Sequence, residues 1–332
     1  MTPDAKILAA LRDHPEGVSG EQLATSLAIS RAAVWARMES LRQAGYDITA
    51  GPHNGYRLVG TPDLLHADDL LSRVSGRVRV IGRDIQVFKE TTSTNDIIEK
   101  MARDGLREGF VVFAESQTKG RGRLGRKWIS PPGKGLWLSV LLRPALRPQE
   151  TTQLTIASAT ALLRSIIQVT GLQPQIKWPN DLLIGDRKVA GILTELSAEP
   201  DRVHHVTLGI GVDVNMKESE WPLELRSVAT SLRMVAGCEI SRVELAAALL
   251  ENLDRDYARI CRGGFGEVAD EWEEHCATLG REVTVQMGHR TIQGRAESLD
   301  DDGALLVRTE HGLLERVMGG DLTLKKRPAD AS

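Results

Sequence analysis

Long apolar runs are absent from this chain. No stretch approaches the ~18 consecutive apolar residues that cross a bilayer, and the start carries no positively charged, apolar export segment. A cytoplasmic location with no membrane partner is therefore expected. Cysteine is scarce as well: Cys238, Cys261 and Cys276 are an odd number, with neither Cys-x-x-Cys spacing nor adjacent paired histidines. That disfavours a disulfide framework and a structural zinc site, and no resident metal site is expected. A large charge of one sign is also missing, since 42 Lys and Arg against 45 Asp and Glu leave −3. Any affinity for nucleic acid must then come from local arrangement. Internal repeats are lacking, and low complexity is confined to the end, Pro328 to Ser332. What is present, 41% hydrophobic and 26% charged residues over 332 positions, suits a globular protein of two or three domains.

Residues 1–62 read as a separate unit. Ile7, Leu8 and Leu11 give one short helical face, Ser19-Gly20-Glu21-Gln22 opens a second helix, and Ser30 to Ala44 forms a third around Val34 and Leu41. Only Ala28-Ile29 joins the last two, a connection tight enough for a helix-turn-helix. Two short alternating runs, Tyr46 to Ile48 and Tyr56 to Val59, flank Gly51-Pro52-His53-Asn54-Gly55 and predict a hairpin, so the whole reads as a winged helix. Its six basic residues are matched by six acidic ones, which leaves a bland interaction module as the competing reading. The third helix, however, sets Arg31, Arg37 and Arg42 against Glu39 alone. Gly20, Glu21, Gln22, Ser30, Arg31, Ala32, Trp35 and Arg37 are the candidate DNA-contacting residues.

Beyond Gly60-Thr61-Pro62 the pattern alternates helices (67–74, 95–103, 152–169, 242–262) with strands (78–81, 85–89, 110–114, 136–142, 175–178, 182–184, 189–196, 203–214). This predicts an α+β unit over 63–275 built on a largely antiparallel-looking sheet. From residue 276 to 328, five short strands punctuated by Gly288, Asp302-Gly303, His311-Gly312 and Gly319-Gly320 suit a small barrel.

Chemistry concentrates in three places. Gln117-Thr-Lys-Gly-Arg-Gly-Arg-Leu-Gly-Arg-Lys-Trp128 lies between two strands and holds five cationic side chains and no acid. Its Gly120 to Gly125 satisfies G-x-G-x-x-G, yet Ile129-Ser-Pro-Pro-Gly133 follows where a dinucleotide fold needs a helix, and only the poorly placed Glu150 could meet a ribose. A P-loop fails too, because Gly133-Lys134-Gly135 lacks Ser or Thr. A flexible arginine-bearing loop that folds onto a phosphoanhydride remains, against the plainer reading of a solvated basic loop. Lys188 opens an otherwise apolar strand and wants an anion; a compact ammonium there suits a carboxylate attacking an α-phosphate. Asp181, in Lys177-Trp-Pro-Asn-Asp181, can orient an amine or accept its proton. Ser93-Thr94-Asn95, at a strand-to-helix junction, is either a plain cap or a polar ligand clamp.

Taken in order, Ser-Thr-Asn, Gln-x-x-Gly-Arg-Gly-Arg-x-Gly-Arg-x-Trp and Lys-Trp-Pro-Asn-Asp with Asp-Arg-Lys-x-Ala-Gly-Ile-Leu resemble the biotin protein ligase family over residues 5 to 325. The winged helix and the C-terminal unit, an SH3-like barrel by this likeness, resemble its bifunctional members, which also repress biotin synthesis genes. The resemblance implies that biotin and MgATP give biotinyl-5′-AMP, which then acylates a lysine of a biotin carboxyl carrier protein. It implies biotin contacts from Ser93, Thr94, Asn95, Gln117, Arg121, Gly122, Arg123, Lys188, Gly209 and Gly211, the two strand glycines admitting the ring system. It implies ATP or adenylate contacts from Arg121, Arg123, Arg126, Trp128, Lys177, Asn180 and Lys188, with Lys188, Arg123 and Asp181 as the catalytic set. A homodimer on operator DNA is the implied regulatory form. One position departs: many members read Gly-x-Gly-x-Asn-x-Asn where this chain has Gly209-Ile-Gly211-Val-Asp213-Val-Asn215. An ionised Asp accepts hydrogen bonds but donates none, so the nucleotide or metal contact of that Asn is not assigned to Asp213. A lipoate ligase and a pure ligand-sensing regulator are the competing functions.

Overall fold

The computed structural model describes residues 1–51 and 55–325; residues 52–54 of the expected hairpin turn and the end from 326 onward, including the expected frayed end and the last residues of the 276–328 unit, lie outside them. At the N-terminus stand α1 (Pro3–Asp13), α2 (Gly20–Leu27) and α3 (Arg31–Gln43), followed by the antiparallel hairpin β1 (Asp47–Gly51) and β2 (Gly55–Gly60). Each helix starts on a hydroxyl that the sequence supplies: Thr2, Ser19 and Ser30 accept from the backbone N–H groups of Ala5, Gln22 and Ala33. Ala28, in the left-handed region at φ 54°, makes the tight turn between α2 and α3. Ile7, Leu8, Leu11, Leu23, Val34 and Met38 close a core of their own. The winged helix is therefore as expected. It docks through α1 on α4 (Ala67–Val74), where Arg12 pairs with the fully buried Asp69, whose carboxylate also takes Arg73 Nε at 3.0 Å.

The central unit continues with β3 (Asp84–Thr91), α5 (Thr94–Arg103), β4 (Phe110–Gln117), β5 (Gly135–Leu142), α6 (Thr152–Thr170), β6 (Gln175–Lys177), β7 (Asp181–Ile184), β8 (Arg187–Ala198), β9 (Val203–Asp213), α7 (Leu232–Ala236), α8 (Arg242–Ile260) and α9 (Phe265–Glu274). The seven strands lie in the order β3-β4-β5-β9-β8-β7-β6. The sheet is mixed, because β3 and β4 are parallel while the other neighbours are antiparallel. Every residue of β5 is buried, which explains a strand written as a continuous apolar run rather than an alternating one. Val111, Phe113, Leu138 and Val140 join the main core, which α6 and α8 supply with Leu154, Leu162, Leu249 and Leu253. Val112 and Leu141, pointing the other way, pack with Ile98 and Ala102 of α5.

One expected strand does not form. Residues 78–81 are irregular, and the N–H groups of Arg79, Val80 and Ile81 donate to the Asp254 carboxylate of α8 at 2.8, 2.7 and 2.8 Å. A side chain distant in sequence supplies the acceptors that a neighbouring strand would have provided.

At the C-terminus, β10 (Glu282–Met287), β11 (Arg290–Leu299), β12 (Leu305–Arg308), β13 (Leu314–Val317) and β14 (Asp321–Leu324) form one antiparallel sheet in the order β13-β12-β11-β10-β14. Alternate residues, among them Val283, Val285, Ile292, Ala296 and Val307, face a single interior, the one-sided pattern of a small barrel. That interior is continuous with the core of the central unit.

Candidate active site

On the α5 face of the sheet, β8 and β9 bring three glycines close together. Trp137 of β5 pairs with Gly211 of β9, which pairs with Gly191 of β8; one step along, Ser139 pairs with Gly209, which pairs with Leu193. The missing side chains leave a trough, and larger groups lie in it. A Cβ on Gly209 would fall 2.3 Å from Asn95 Oδ1, and one on Gly211 would fall 2.7 Å from the Trp128 indole. The space expected to admit a ring system is thus held here by Asn95 and Trp128. Around the trough opens a cavity of ≈ 310 Å³.

Every sequence-derived site residue of the ligase unit lines that cavity: Ser93, Thr94, Asn95, Gln117, Arg121, Gly122, Arg123, Arg126, Trp128, Lys177, Asn180, Asp181, Lys188, Gly209 and Gly211. They come from four places in the fold. The start of α5 brings Thr94 and Asn95, both buried. Ser93 makes no side-chain cap bond; instead Gln117 of β4 accepts from the Thr94 backbone N–H at 2.8 Å. The simple Ser cap is therefore replaced by a long-range one, leaving the Ser93 hydroxyl on the cavity wall. Asn95 is fixed from both sides, its Nδ2 donating to Glu195 Oε2 at 2.6 Å and its Oδ1 accepting from Ser139.

The arginine loop folds back on itself. Trp128 N–H donates to the Gly120 carbonyl at 2.9 Å and Gly122 N–H to Arg126 O at 2.7 Å. At its tip Leu124 is 74% exposed in the left-handed region, φ 56°, a strained and unburied conformation for a branched side chain. Arg121 forks onto Glu195 through Nε and Nη2 at 3.1 and 2.9 Å and also meets Asp96 at 2.5 Å. Those carboxylates, Glu195 first, raise its pKa. Arg126 pairs with Asp321 of β14, so the C-terminal sheet closes one side of the cavity. Arg123 differs. Its Nη1 donates to the neutral Asn180 Oδ1 at 3.0 Å, no carboxylate pairs with it among the described residues, and burial pushes its pKa down. A partly buried guanidinium of this kind is a site for an anion.

The β7–β8 hairpin supplies the last component. Lys188 Nζ lies 2.6 Å from Asp181 Oδ1 and 5.2 Å from the centre of the Trp128 ring. Its backbone is held by the segment after β9, donating to Val228 O and accepting from Thr230 N–H, each at 2.8 Å. Near the end of β9 sits Asp213, 5% exposed, its carboxyl raised well above the usual range because burial disfavours the charge, with Lys188 pulling the other way. Asn215, by contrast, is consumed structurally, exchanging bonds with Ile240 N–H and O at 3.0 and 2.9 Å.

Sequence reading overlooked Glu195, Ser139 and Gly191. The signal for Glu195 was an acid two residues beyond the apolar run of β8, on the face shared with Gly191 and Leu193. In the winged helix the DNA-facing list also divides. Glu21, Gln22, Ser30, Arg31, Ala32 and Trp35 are exposed and Gly20 is half-buried, but Arg37 donates to Asp4 of α1 at 3.0 Å and Arg42 to Ile48 O at 2.8 Å. Arg37, its side chain still 43% exposed, thus also ties α3 to α1.

Residues 87–213 match the Biotin/lipoate A/B protein ligase family, 278–324 the Biotin protein ligase C terminal domain, and 4–57 an HTH domain. The bifunctional ligase/repressor BirA of Bacillus subtilis is 36% identical over 93% of this chain and 94% of its own length. The chain belongs to the biotin protein ligase family. BirA of Escherichia coli is 31% identical over 96% of each protein. The biotin protein ligase of Aquifex aeolicus, solved in complex with biotin and ATP, superposes with a TM-score of 0.63 at 30% identity, covering 74% of this chain and all of that one. The family's catalytic part thus coincides with the sheet that carries the trough, and the two flanking matches fall on the winged helix and the C-terminal sheet.

Proposed function

We propose that this protein activates biotin with ATP to biotinyl-5′-AMP, transfers the biotinyl group to one lysine of a biotin carboxyl carrier protein, and represses biotin synthesis genes through its winged helix. The observation that carries the reading is the convergence of Lys188 and the Arg121–Arg123 loop on one glycine-floored cavity, in a chain of this family. In the first half reaction the biotin carboxylate attacks the α-phosphate and pyrophosphate leaves. Two anions must approach, and Lys188 with Arg123 offsets their repulsion in a partly desolvated site. Lys188 is held by Asp181, so an arriving anion takes over the ammonium and frees the Asp181 carboxylate. That carboxylate then faces the incoming lysine, accepting its proton as the amine attacks the acyl carbon and AMP departs. Arg121, now fixed by Asp96 and Glu195, and the Ser93–Asn95 corner with Gln117 bind the biotin end, while Arg126, Trp128, Lys177 and Asn180 meet the nucleotide. No group of three or more His, Cys, Asp or Glu among the described residues is placed to hold a metal. Magnesium enters with the MgATP substrate, held chiefly by phosphate oxygens and water.

We divide the chain for these tasks into 1–62 for DNA, 63–275 for ligation and 276–328 as the flanking unit. No described helix is long and apolar enough to cross a membrane. Substrates of this kind, ATP, carrier protein and operator DNA, place the work in the cytoplasm. A homodimer sets two winged helices on paired half-sites.

Biotin-dependent exchange of labelled pyrophosphate into ATP tests the first half reaction; no exchange above the biotin-free control contradicts it. Arg123→Ala is expected to speed release of biotinyl-AMP about tenfold or more, since it removes a charge-assisted contact of roughly 1.5–3 kcal/mol. Unchanged release, followed by rapid-quench filtration, contradicts the lid. In the winged helix, Arg31→Ala is expected to weaken operator binding by about 1–3 kcal/mol if it reads a base, or to lower the salt slope by about one if it meets a phosphate. Arg37→Ala, removing a tie to Asp4, changes the stability of the unit instead.

A further inference from the structure

Asp213 stands apart from the other acids of the cavity. It lines the wall and is 5% exposed, yet neither an ion pair nor a side-chain hydrogen bond holds it among the described residues. Several of the cavity's charges are engaged elsewhere, while Lys127 and Lys177 line it with no ion pair among the described residues. On β8, Lys188 points its ammonium at Asp181 of β7, 2.6 Å away. Lys134, whose carbonyl takes the N–H groups of Val214 and Asn215, binds Glu220 of the following segment at 2.7 Å. Beneath the Gly135–Asp213 pairing, Arg242 of α8 is committed to Glu115 at 2.6 Å, and across the cavity Arg123 meets Asn180 while Arg126 meets Asp321. Asp213, Asp181 and Lys188 therefore share one positive charge between two carboxyl groups. With both acids ionised the trio carries −1; with Asp213 protonated it carries zero.

We propose that Asp213 is a protonation-gated positioning residue: as a neutral acid it leaves Lys188 available to an incoming carboxylate or phosphate, and when ionised it competes for that ammonium and repels the anion. The inference rests on the adenylate-forming reading of the site and adds a regulator of it. A buried carboxyl without a partner holds its proton above the ordinary carboxylate range, because burial disfavours the charge while Lys188 pulls the other way. A neutral carboxyl also donates one hydrogen bond, which the carboxylate cannot. Asp213 is thus a donor at low pH and a repulsive charge at high pH.

The sign follows from which form works. Activity is full below the Asp213 midpoint and falls above it, by about tenfold per pH unit once the neutral acid is the minor form. Initial pyrophosphate release from biotin and MgATP is measured from about pH 5.5 to about pH 9.5 in the full-length protein and in Asp213→Asn. The wild-type protein is expected to show this alkaline fall, and the variant to stay level until a later, lysine-dependent fall. Infrared difference spectroscopy of the wild-type protein supplies a readout independent of turnover and of any variant. A protonated carboxyl band should disappear with the same midpoint as the fall in rate. Release with the same alkaline limb in both proteins, or no protonated carboxyl band, overturns the gate while leaving biotin activation intact. A titrating band with no pyrophosphate release at any pH overturns the reading of the site, and this inference with it.

Discussion

Replacing Lys188 with alanine is expected to lower the rate of adenylate formation by about 10²–10³-fold, the usual loss when one preorganised electrostatic contact to developing charge is removed. Biotin affinity should fall far less, by under about tenfold, because the ring end of the ligand is held elsewhere, by the Ser93–Asn95 corner and Gln117. The contrast follows from the position of the ammonium. It lies over the Trp128 ring, against Asp181 and above the Gly191 part of the trough, apart from the Ser93–Asn95 corner. Single-turnover pyrophosphate release and equilibrium biotin binding separate the two terms. Equal losses in both would mean that Lys188 only helps to bind the ground state.

Arg242→Met should destabilise the protein by about 3–5 kcal/mol, the range found when one partner of a buried ion pair is removed. Arg242 is 1% exposed and gathers three separate segments. It donates to Glu115 of β4 at 2.6 Å, to the Asp63 backbone carbonyl at 2.6 Å and, more distantly, to Gly135 O of β5 at 3.5 Å. Glu115 in turn accepts from Leu65 N–H at 2.9 Å, so loss of the guanidinium leaves a buried carboxylate facing an unfilled space. Asp63 is 42% exposed and re-solvates, so the Glu115 contribution dominates. With a shift of about 2–4 °C per kcal/mol for units of this size, thermal unfolding should begin roughly 10 °C lower. Arg242→Met together with Glu115→Leu should recover much of the loss; a double variant no more stable than the single one would contradict the ion-pair account.

Much of this was legible in the sequence where a local rule and the final contacts coincide. Ser19 and Ser30 mark their helices because the caps are made within three residues. The site itself could be assembled because its loop, strand and helix-start motifs lie on elements that the sheet brings side by side. Illegible features all depend on distant partners. Residues 78–81 read as a strand until Asp254, more than 170 residues away, supplied their acceptors. The parallel pairing of β3 with β4 needs the crossover through α5, which alternation within either strand does not record. The Arg37–Asp4 pair spans 33 positions and leaves no local mark in the sequence. The Gly209 and Gly211 side of the trough was identifiable, but its occupants, Asn95 and Trp128, were not.

The central claim is transfer of a biotinyl group to a carrier lysine. Incubation of the full-length protein with MgATP, biotin and a biotin carboxyl carrier domain, followed by intact mass spectrometry, tests it directly. The account predicts one biotinyl adduct on the carrier, dependent on ATP, absent when the acceptor lysine is replaced by arginine, and lost with Lys188→Ala. An unmodified carrier in the complete wild-type reaction would contradict it.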